Sequence, residues 1–167
     1  MKGQSFRRVL FNSHGGREMR GFAIKRRNVY FCDRVYAFLM IIDKTILDSL
    51  TAQAQASPRL RMNLDLRTTP EDNSQRMLNA IEPETVMPIH RHRSSSETVV
   101  CVRGHFEEYF YDDDGRLTDT VDMYPGGPVI NIPPGQWHSL KSLESGTVLL
   151  ECKDGAWTPL KEEDVMK

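Results

Sequence analysis

Apolar residues follow two different periods along this chain. The apolar residues of 44–56 recur at helical spacing, Asp43 before them is a good N-cap, and Pro58 ends the run. Between Leu60 and Leu66 the period changes to two, and apolar and polar residues alternate as they do on a half-buried strand. The pattern predicts one short helix followed by strands.

The rest of the chain is divided into short alternating or apolar segments by turn-forming residues, such as Asp114-Gly115 and Pro133-Pro134-Gly135. The strands predicted after residue 66 are 75–81, 86–92, 97–103, 105–111, 116–123, 129–132, 137–143 and 147–152. Many short strands spaced by about 8–12 residues indicate a β-sandwich or β-barrel. We therefore expect an all-β fold with a short N-terminal helix.

Composition narrows the class of protein. A chain of 167 residues is the size of one domain, and a mean hydropathy of −0.49 is typical of a soluble globular protein. The longest apolar run, Val35 to Ile42, is too short to span a membrane, which needs about 20 residues. The odd number of scattered cysteines, none in a CxxC pair, fits reduced thiols and a cytoplasmic location; they are Cys32, Cys101 and Cys152.

Charge is distributed unevenly. Residues 1–39 hold nine Lys/Arg against two acidic residues, whereas the remainder holds 13 basic against 21 acidic residues. We expect 1–39 to be a basic extension, either disordered or an upstream start-site artefact, and 40–167 to be the functional domain. A nucleic-acid or anionic-surface tail and a targeting peptide are alternatives for 1–39. The domain itself is expected to bind neither nucleic acid nor membrane, and homodimer formation stays open.

Four residues have the chemistry and order of a metal site. His90 and His92 flank one residue in a predicted strand, so their side chains share a face. Glu97 follows a polar stretch that allows the chain to turn back, and His138 follows a later tight turn. Three imidazoles and one carboxylate suit one divalent ion, Fe, Zn, Mn or Ni, with one or two positions left for water or substrate.

The spacing of these residues resembles the two sequence motifs of the cupin superfamily. The first motif is His90-x-His92, four residues, Glu97, six residues and Gly104; the second is Gly127, five residues, Pro133-x-Gly135, two residues and His138. The segments 57–63, 75–80, 88–92 and 137–138 further resemble the WbuC-type cupin-fold metalloproteins, bacterial proteins often associated with surface-polysaccharide genes. This resemblance covers about 40–160.

The resemblance implies a cupin double-stranded β-helix, a small barrel or jelly roll with a metal at its mouth. It also maps the usual metal ligands of the superfamily onto His90, His92, Glu97 and His138. Glu84 and Ser142 depart from the pattern, since they stand where the motifs usually have Gly and Asn. Neither position is a ligand, so the departures affect a turn and a polar contact.

A set of basic and amide side chains on the flanking strands is the candidate substrate wall. Guanidinium groups bind carboxylates and phosphates bidentately, so these residues would hold a small anionic molecule beside the metal; the alternative is that they are solvated. The set is Arg59, Arg61, Asn63, Arg76 and Asn79. His105 lies outside both motifs and is not expected to be a ligand.

Three functions fit these residues. The first is a metal-dependent isomerase, epimerase or lyase acting on an anionic sugar or sugar nucleotide in surface-polysaccharide biosynthesis, which rests on the resemblance. The second is an Fe(II)-dependent dioxygenase, which needs the same ligands and two open positions. The third is a non-catalytic, metal-dependent module that binds a small molecule. The sequence leaves the catalytic residues, the metal and the substrate open.

Overall fold

The computed structural model describes residues 29–31 and 38–166, and the chain divides into two units, Met1–Ile41 and Ile42–Lys167. In the first unit, β1 (Val29–Phe31) and β2 (Phe38–Met40) form an antiparallel pair. Most of the predicted basic extension lies outside the described residues, so its nature stays a prediction. No helix among the described residues is long and apolar enough to cross a membrane.

The second unit begins with the helix that the apolar spacing predicts. Helix α1 covers Lys44–Ala56, and the Asp43 carboxylate accepts hydrogen bonds from the backbone N–H groups of Thr45 and Ile46 at 3.0 and 3.2 Å. These bonds satisfy two of the N–H groups that a helix leaves unpaired at its start. One side of the helix, including Leu50 and Ala54, is buried.

Eight strands and a 3-10 helix make up the rest of this unit. They are β3 (Arg61–Asp65), β4 (Ser74–Ile81), β5 (Glu97–Arg103), β6 (Phe106–Tyr111), β7 (Leu117–Met123), β8 (Val129–Ile132), β9 (Trp137–Ser142), β10 (Thr147–Asp154) and the 3-10 helix Glu162–Asp164. One antiparallel sheet has the order β3-β4-β10-β5-β8, and the other has the order β7-β6-β9. The all-β prediction with a short N-terminal helix is confirmed.

The strands of the larger sheet bury apolar residues on both faces. On β4, Leu78 and Ala80 pack with α1, whereas Ile81 belongs to the cluster that fills the space between the two sheets. Phe106 and Leu149 join that inner cluster from opposite sheets, and both are fully buried. Because successive side chains of a strand point to opposite faces, the same strands build both cores.

Gly104 ends the first motif at the turn between β5 and β6. Its φ of 80° lies in the left-handed region, and a Cβ placed there would lie 2.4 Å from Oγ1 and 2.7 Å from Cα of Thr147. Only glycine fits such a backbone at that distance from another strand. The turn fixes how the chain leaves the larger sheet at the end of β5 and enters the smaller one at β6.

The predicted strand 86–92 is not observed. Of its residues, His90 alone makes β-bridges, to His138 and to Val165. Pro88 has no N–H to donate, which disfavours a regular ladder through this segment. The histidine segment therefore forms β-bridges at one residue, His90, without a strand of its own.

Candidate metal centre

The backbone of the first motif is tied directly to that of the second. The N–H of His90 donates to the carbonyl of His138, and the N–H of His138 donates to the carbonyl of His90, both at 2.9 Å. The carbonyl of His92 accepts from the N–H of Gly135 at 2.8 Å. These backbone hydrogen bonds hold the two motifs together, although the motifs are far apart in the chain.

The orientation of two imidazole rings is fixed by backbone carbonyls. Nδ1 of His90 lies 3.1 Å from the carbonyl of Pro88, and Nδ1 of His138 lies 2.9 Å from that of Gln136. A carbonyl can only accept, so each Nδ1 carries the proton and each Nε2 keeps its lone pair. This is the second-layer hydrogen bonding that prepares histidine as a metal ligand.

Three imidazoles and one carboxylate converge between the sheets. One ring nitrogen each of His90, His92 and His138 lies within 4.8 Å of the others. Glu97, the first residue of β5, places Oε2 3.4 Å from Nε2 of His92 and 3.5 Å from Nε2 of His138. The structure brings together all four residues that the sequence selects.

The atoms that face one another in this cluster lack hydrogen-bond partners. Nε2 of His92, Nε2 of His138 and Oε2 of Glu97 are buried and have no hydrogen-bond partner among the described residues, although Oε2 lies 3.3 Å from the ammonium group of Lys153 as an ion pair. Burying an unpaired polar group costs free energy, and native proteins rarely tolerate it without a ligand or ordered water. The donor set fits a divalent cation, which would satisfy all three atoms at once.

Burial keeps His90 and His92 neutral. Desolvation, together with the neighbouring His138, lowers the pKa of His90 to about 3. Desolvation, together with Lys153, lowers the pKa of His92 to about 4. Burial alone would raise the pKa of Glu97, but the contacts with His138 and Lys153 outweigh it and keep the carboxyl ionised. At neutral pH the cluster therefore offers the uncharged imidazoles of His90 and His92 and a charged carboxylate.

The outer side of the histidine segment is held by residues near the C-terminus. Val165 pairs with His90 on the side away from His138. Asp164 accepts hydrogen bonds from the guanidinium groups of Arg91 and Arg93, the first at 3.2 Å. The residue between the two histidines and the residue after them are thereby anchored, which limits movement of the imidazoles.

A cavity of about 190 Å³ opens beside the cluster. Its apolar wall is formed by Met62, Ile81, Met87, Val99, Leu140 and Leu149. Its polar residues are Arg59, Arg61, Asn63, Asn79, His90, Glu97, Glu108, His138, Glu151 and Lys153. Polar and charged groups concentrated in one partly apolar cavity are typical of a small-molecule site.

The candidate substrate wall is only partly in this cavity. Arg59, Arg61, Asn63 and Asn79 line it. Arg76 does not, because it lies an odd number of residues from Asn79 on β4 and so points to the other face, where its guanidinium pairs with an aspartate at 3.0 Å. The assignment of Arg76 to the wall is wrong, and the other four residues stay candidates.

Sequence reasoning missed three charged residues of the cavity. Glu108 shares a face of β6 with Phe106 and Phe110, and Glu151 and Lys153 share a face of β10 with Leu149. The available signal was that each charged residue shares a strand face with buried apolar residues. The ammonium of Lys153 lies 3.3 Å from Oε2 of Glu97 and 3.2 Å from Oε2 of Glu151.

Glu108 has no ion-pair partner within 4.0 Å among the described residues. Its side chain is fully buried and its Oε2 has no hydrogen-bond partner. Burial, with the nearby negative charges of Glu97 and Glu151, raises the pKa of Glu108 well above its ordinary value. A carboxyl group in this setting holds a proton at a pH where exposed carboxyls have lost theirs.

His105 lies apart from the cluster. Its Nε2 pairs with a carboxylate oxygen of Asp122, and both side chains are substantially exposed. The prediction that His105 is not a ligand agrees with this position, and the residue provides a matched control for the other histidines.

Two sequence comparisons give little functional information. The family model of a domain of unknown function, DUF6016, matches residues 42–123, just under half of the chain. No curated protein sequence matches this chain.

Three solved structures are similar to this chain in fold. CapF, solved with the inhibitor 3-isopropenyl-tropolone, matches with a TM-score of 0.51 and 20% identity over 58% of this chain and 28% of CapF. KdgF from Halomonas sp. matches with a TM-score of 0.49 and 16% identity over 59% of this chain and 82% of KdgF. Oxalate decarboxylase from Bacillus subtilis, whose Mn(II) centres have been studied, has a TM-score of 0.48 and 21% identity, with coverages of 64% and 27%.

The chain thus spans little more than a quarter of the length of CapF and of oxalate decarboxylase. At this level of identity the likeness to CapF defines the fold alone. The fold is the cupin β-sandwich that the motifs predict, with two antiparallel sheets and one short helix. The site adds a cluster of three histidines between those sheets.

Proposed function

We propose that this protein is a cupin-fold metalloprotein that holds one divalent cation through His90, His92, Glu97 and His138. The observation that carries the proposal is the set of buried atoms that face one another without hydrogen-bond partners among the described residues, Nε2 of His92 and His138 and Oε2 of Glu97. When bound, the cation would supply Lewis-acid polarisation of a ligand oxygen. The WbuC-type resemblance supports the same ligand set.

The arginines beside the cation site support an anionic ligand. Of the arginines among residues 38–166, six have a carboxylate oxygen within 4.0 Å; they are Arg67, Arg76, Arg91, Arg93, Arg103 and Arg116. Arg59 and Arg61, which line the cavity, have none within that distance. Two guanidinium groups left without carboxylates beside a cavity are suited to a carboxylate or phosphate of the ligand.

The cavity favours a small molecule. A volume of about 190 Å³ is below the range of about 300–1,000 Å³ that is usual for drug-sized ligands. We infer that an anionic sugar, or the sugar end of a sugar nucleotide, enters the cavity with its charged group at Arg59 and Arg61. Asn63 and Asn79 would accept and donate hydrogen bonds to its hydroxyl groups.

Glu108 favours an enzyme over a binding module. A carboxyl that keeps its proton inside the cavity is able to donate it to a ligand oxygen. We therefore propose a metal-dependent isomerase, epimerase or lyase in surface-polysaccharide biosynthesis, located in the cytoplasm, where Cys101 and Cys152 would stay free. Both the polysaccharide role and the location rest on the resemblance and composition.

Elemental analysis of protein purified without added metal tests the cation site. We expect close to one equivalent of a first-row divalent metal in the wild type and in His105→Ala, and little in His138→Ala. Glu97→Gln keeps the size of the side chain but removes its charge, so we expect it to bind the metal more weakly. Loss of metal from His105→Ala with full retention in His138→Ala would overturn the ligand assignment.

Turnover assays separate the three functions. Conversion of an anionic sugar or sugar nucleotide without O₂ is the result that we expect. Consumption of O₂ by the Fe(II)-loaded protein would instead identify a dioxygenase, and tight ligand binding with neither reaction would identify a binding module. Arg61→Met should weaken ligand binding in each case while leaving the metal content unchanged.

A further inference from the structure

One oxygen of Glu97 is shared by three nitrogen groups. Oε2 lies 3.4 Å from Nε2 of His92, 3.5 Å from Nε2 of His138 and 3.3 Å from Nζ of Lys153. Two of these groups are candidate metal ligands, whereas the third is a cation contributed by the protein. A metal ion bound between the histidines would therefore use the same oxygen that the ammonium group contacts.

The sheet fixes Lys153 in this place. Lys153 is opposite Glu97 in the β10–β5 ladder, and Glu151, two residues earlier on the same face, supplies the second carboxylate at 3.2 Å. The side chains of Lys153, Glu97 and Glu151 are 10%, 4% and 12% exposed. Water thus has little access to this ammonium group, and the two carboxylates are its only close counter-charges among the described residues.

We propose that Lys153 acts as a built-in competitor of the metal, holding Glu97 in the metal-free protein and limiting how tightly the site binds cations. This inference rests on the proposed metal site. Lys153 is a positioning residue here, because it acts through Glu97 and is not itself a ligand.

Electrostatic repulsion predicts the direction in which Lys153 changes the metal affinity. Ammonium and metal are both cations within a few ångströms of one oxygen, where the surroundings screen their repulsion far less than bulk water does. The repulsion increases with the charge of the metal, so Lys153 disfavours a trivalent ion more than a divalent one. The expected consequence is a site that releases metal more readily and keeps a redox-active metal in its divalent state.

Titration of metal-free protein with Zn(II), in competition with a chromophoric chelator, tests the proposal. We expect Lys153→Met, which keeps the length of the stem, to bind Zn(II) at least about tenfold more tightly, because it removes the weakly screened repulsion between two neighbouring cations. Lys141→Met is the matched control, because Lys141 is an exposed lysine on β9, and we expect its affinity to stay within about twofold of wild type. Equal or weaker binding by Lys153→Met would overturn the proposal.

A second variant covers the case in which Lys153→Met does not fold because Glu151 loses its partner. The double variant Glu151→Gln with Lys153→Met removes one positive and one negative buried charge, and we expect it also to bind Zn(II) more tightly than Glu151→Gln alone. In iron-loaded protein, we expect both lysine variants to lower the reduction potential relative to their parents; an unchanged potential would contradict the role of Lys153.

These outcomes distinguish the inference from the proposed function. If the wild type does not bind Zn(II), the metal site itself is wrong. If the wild type binds Zn(II) and the lysine variants bind it no more tightly, the competitor role alone is wrong.

Discussion

The two faces of the larger sheet use the same strands for different purposes. On the outer face, Leu78 and Ala80 of β4 and Val148 of β10 pack against α1 and are almost completely buried. On the inner face, the alternate residues Asn79 and Glu151 line the cavity beside the histidine cluster. A shift of one position along a strand separates an apolar contact from a polar one.

The difference indicates that the outer face contributes mainly to stability, whereas the inner face carries the groups available for binding and chemistry. The part of the outer face that packs beneath α1 has apolar side chains with no polar atom to satisfy. The inner face buries the carboxyl of Glu108, whose Oε2 has no hydrogen-bond partner, and the three charged groups of Glu97, Glu151 and Lys153, which is costly unless a ligand uses them. Substitutions on the two faces should therefore affect different measurements.

The largest effect is expected on the inner face from His92→Ala. The substitution removes one of four donors, so metal affinity should fall at least about a hundredfold, as judged by chelator competition. The unfolding free energy of the metal-free protein should change by no more than about 1 kcal/mol, because Nε2 of His92 makes no hydrogen bond. If the metal-free variant failed to fold, the separation of the two faces would be refuted.

On the outer face, Leu78→Ala is expected to act in the opposite way. Leu78 is 1% exposed, and its replacement leaves a cavity beneath α1, which costs about 2–5 kcal/mol in unfolding free energy. Urea unfolding of the metal-free protein measures this cost. Zn(II) affinity of the folded variant should match that of wild type, and a tenfold change would mean that the outer face supports the metal ligands.

Glu108→Gln tests whether burial of Glu108 on the inner face destabilises the protein. The quantity to follow is the unfolding free energy as a function of pH. The pKa of Glu108 is raised in the folded protein, so the folded state binds a proton that the unfolded state releases above about pH 4.5. The stability that this proton gives is complete below pH 4.5 and is lost as pH rises through the folded pKa.

Glutamine does not titrate, so the unfolding free energy of the variant should exceed that of wild type by an amount that grows with pH. The gain should reach about 1–2 kcal/mol at pH 8, within the limit of about 1.4 kcal/mol per pH unit. Denaturant unfolding of metal-free protein at pH 4.5, 6 and 8 checks this. A difference that is constant across these pH values would show that Glu108 is ionised when folded.

The smallest effect is expected at the start of α1, which covers the outer face. Asp43→Ala removes the carboxylate that caps Thr45 and Ile46, at a cost of about 1 kcal/mol in unfolding free energy. Asp43→Asn should restore most of this loss, since asparagine caps a helix nearly as well. Thermal unfolding of the three proteins gives the ranking, and an equal loss in both variants would point to a role of the charge.

Most of the fold was predictable because its signals are local. The helix over Lys44–Ala56 matches the predicted span, since its cap, apolar spacing and stop lie within the segment itself. The strands after residue 96 were found within a few residues, because tight turns delimit them. The metal candidates were found because His90 and His92 share a face even in extended backbone that is not a strand.

The errors arose where the outcome depends on distant residues. The segment 86–92 alternates like a strand, but Pro88 and the lack of a continuous partner leave one bridged residue, His90. Arg76 was grouped with Asn79 by residue type, although their odd spacing puts them on opposite faces. Lys153 belongs to neither cupin motif. Its contact with Glu97 follows from the pairing of β10 with β5, which the sequence does not specify.

Because His90 pairs with Val165, the histidine segment is synthesised well before the residues that hold it in place. Asp164, which anchors Arg91, follows it by 73 residues in the chain. Translation proceeds at about 5–20 residues per second, so the histidine segment leaves the ribosome several seconds before the residues that hold its outer side. The first two imidazoles are therefore made early but acquire their final support last, and a nascent chain stalled before residue 164 would carry the ligands without the rigid site.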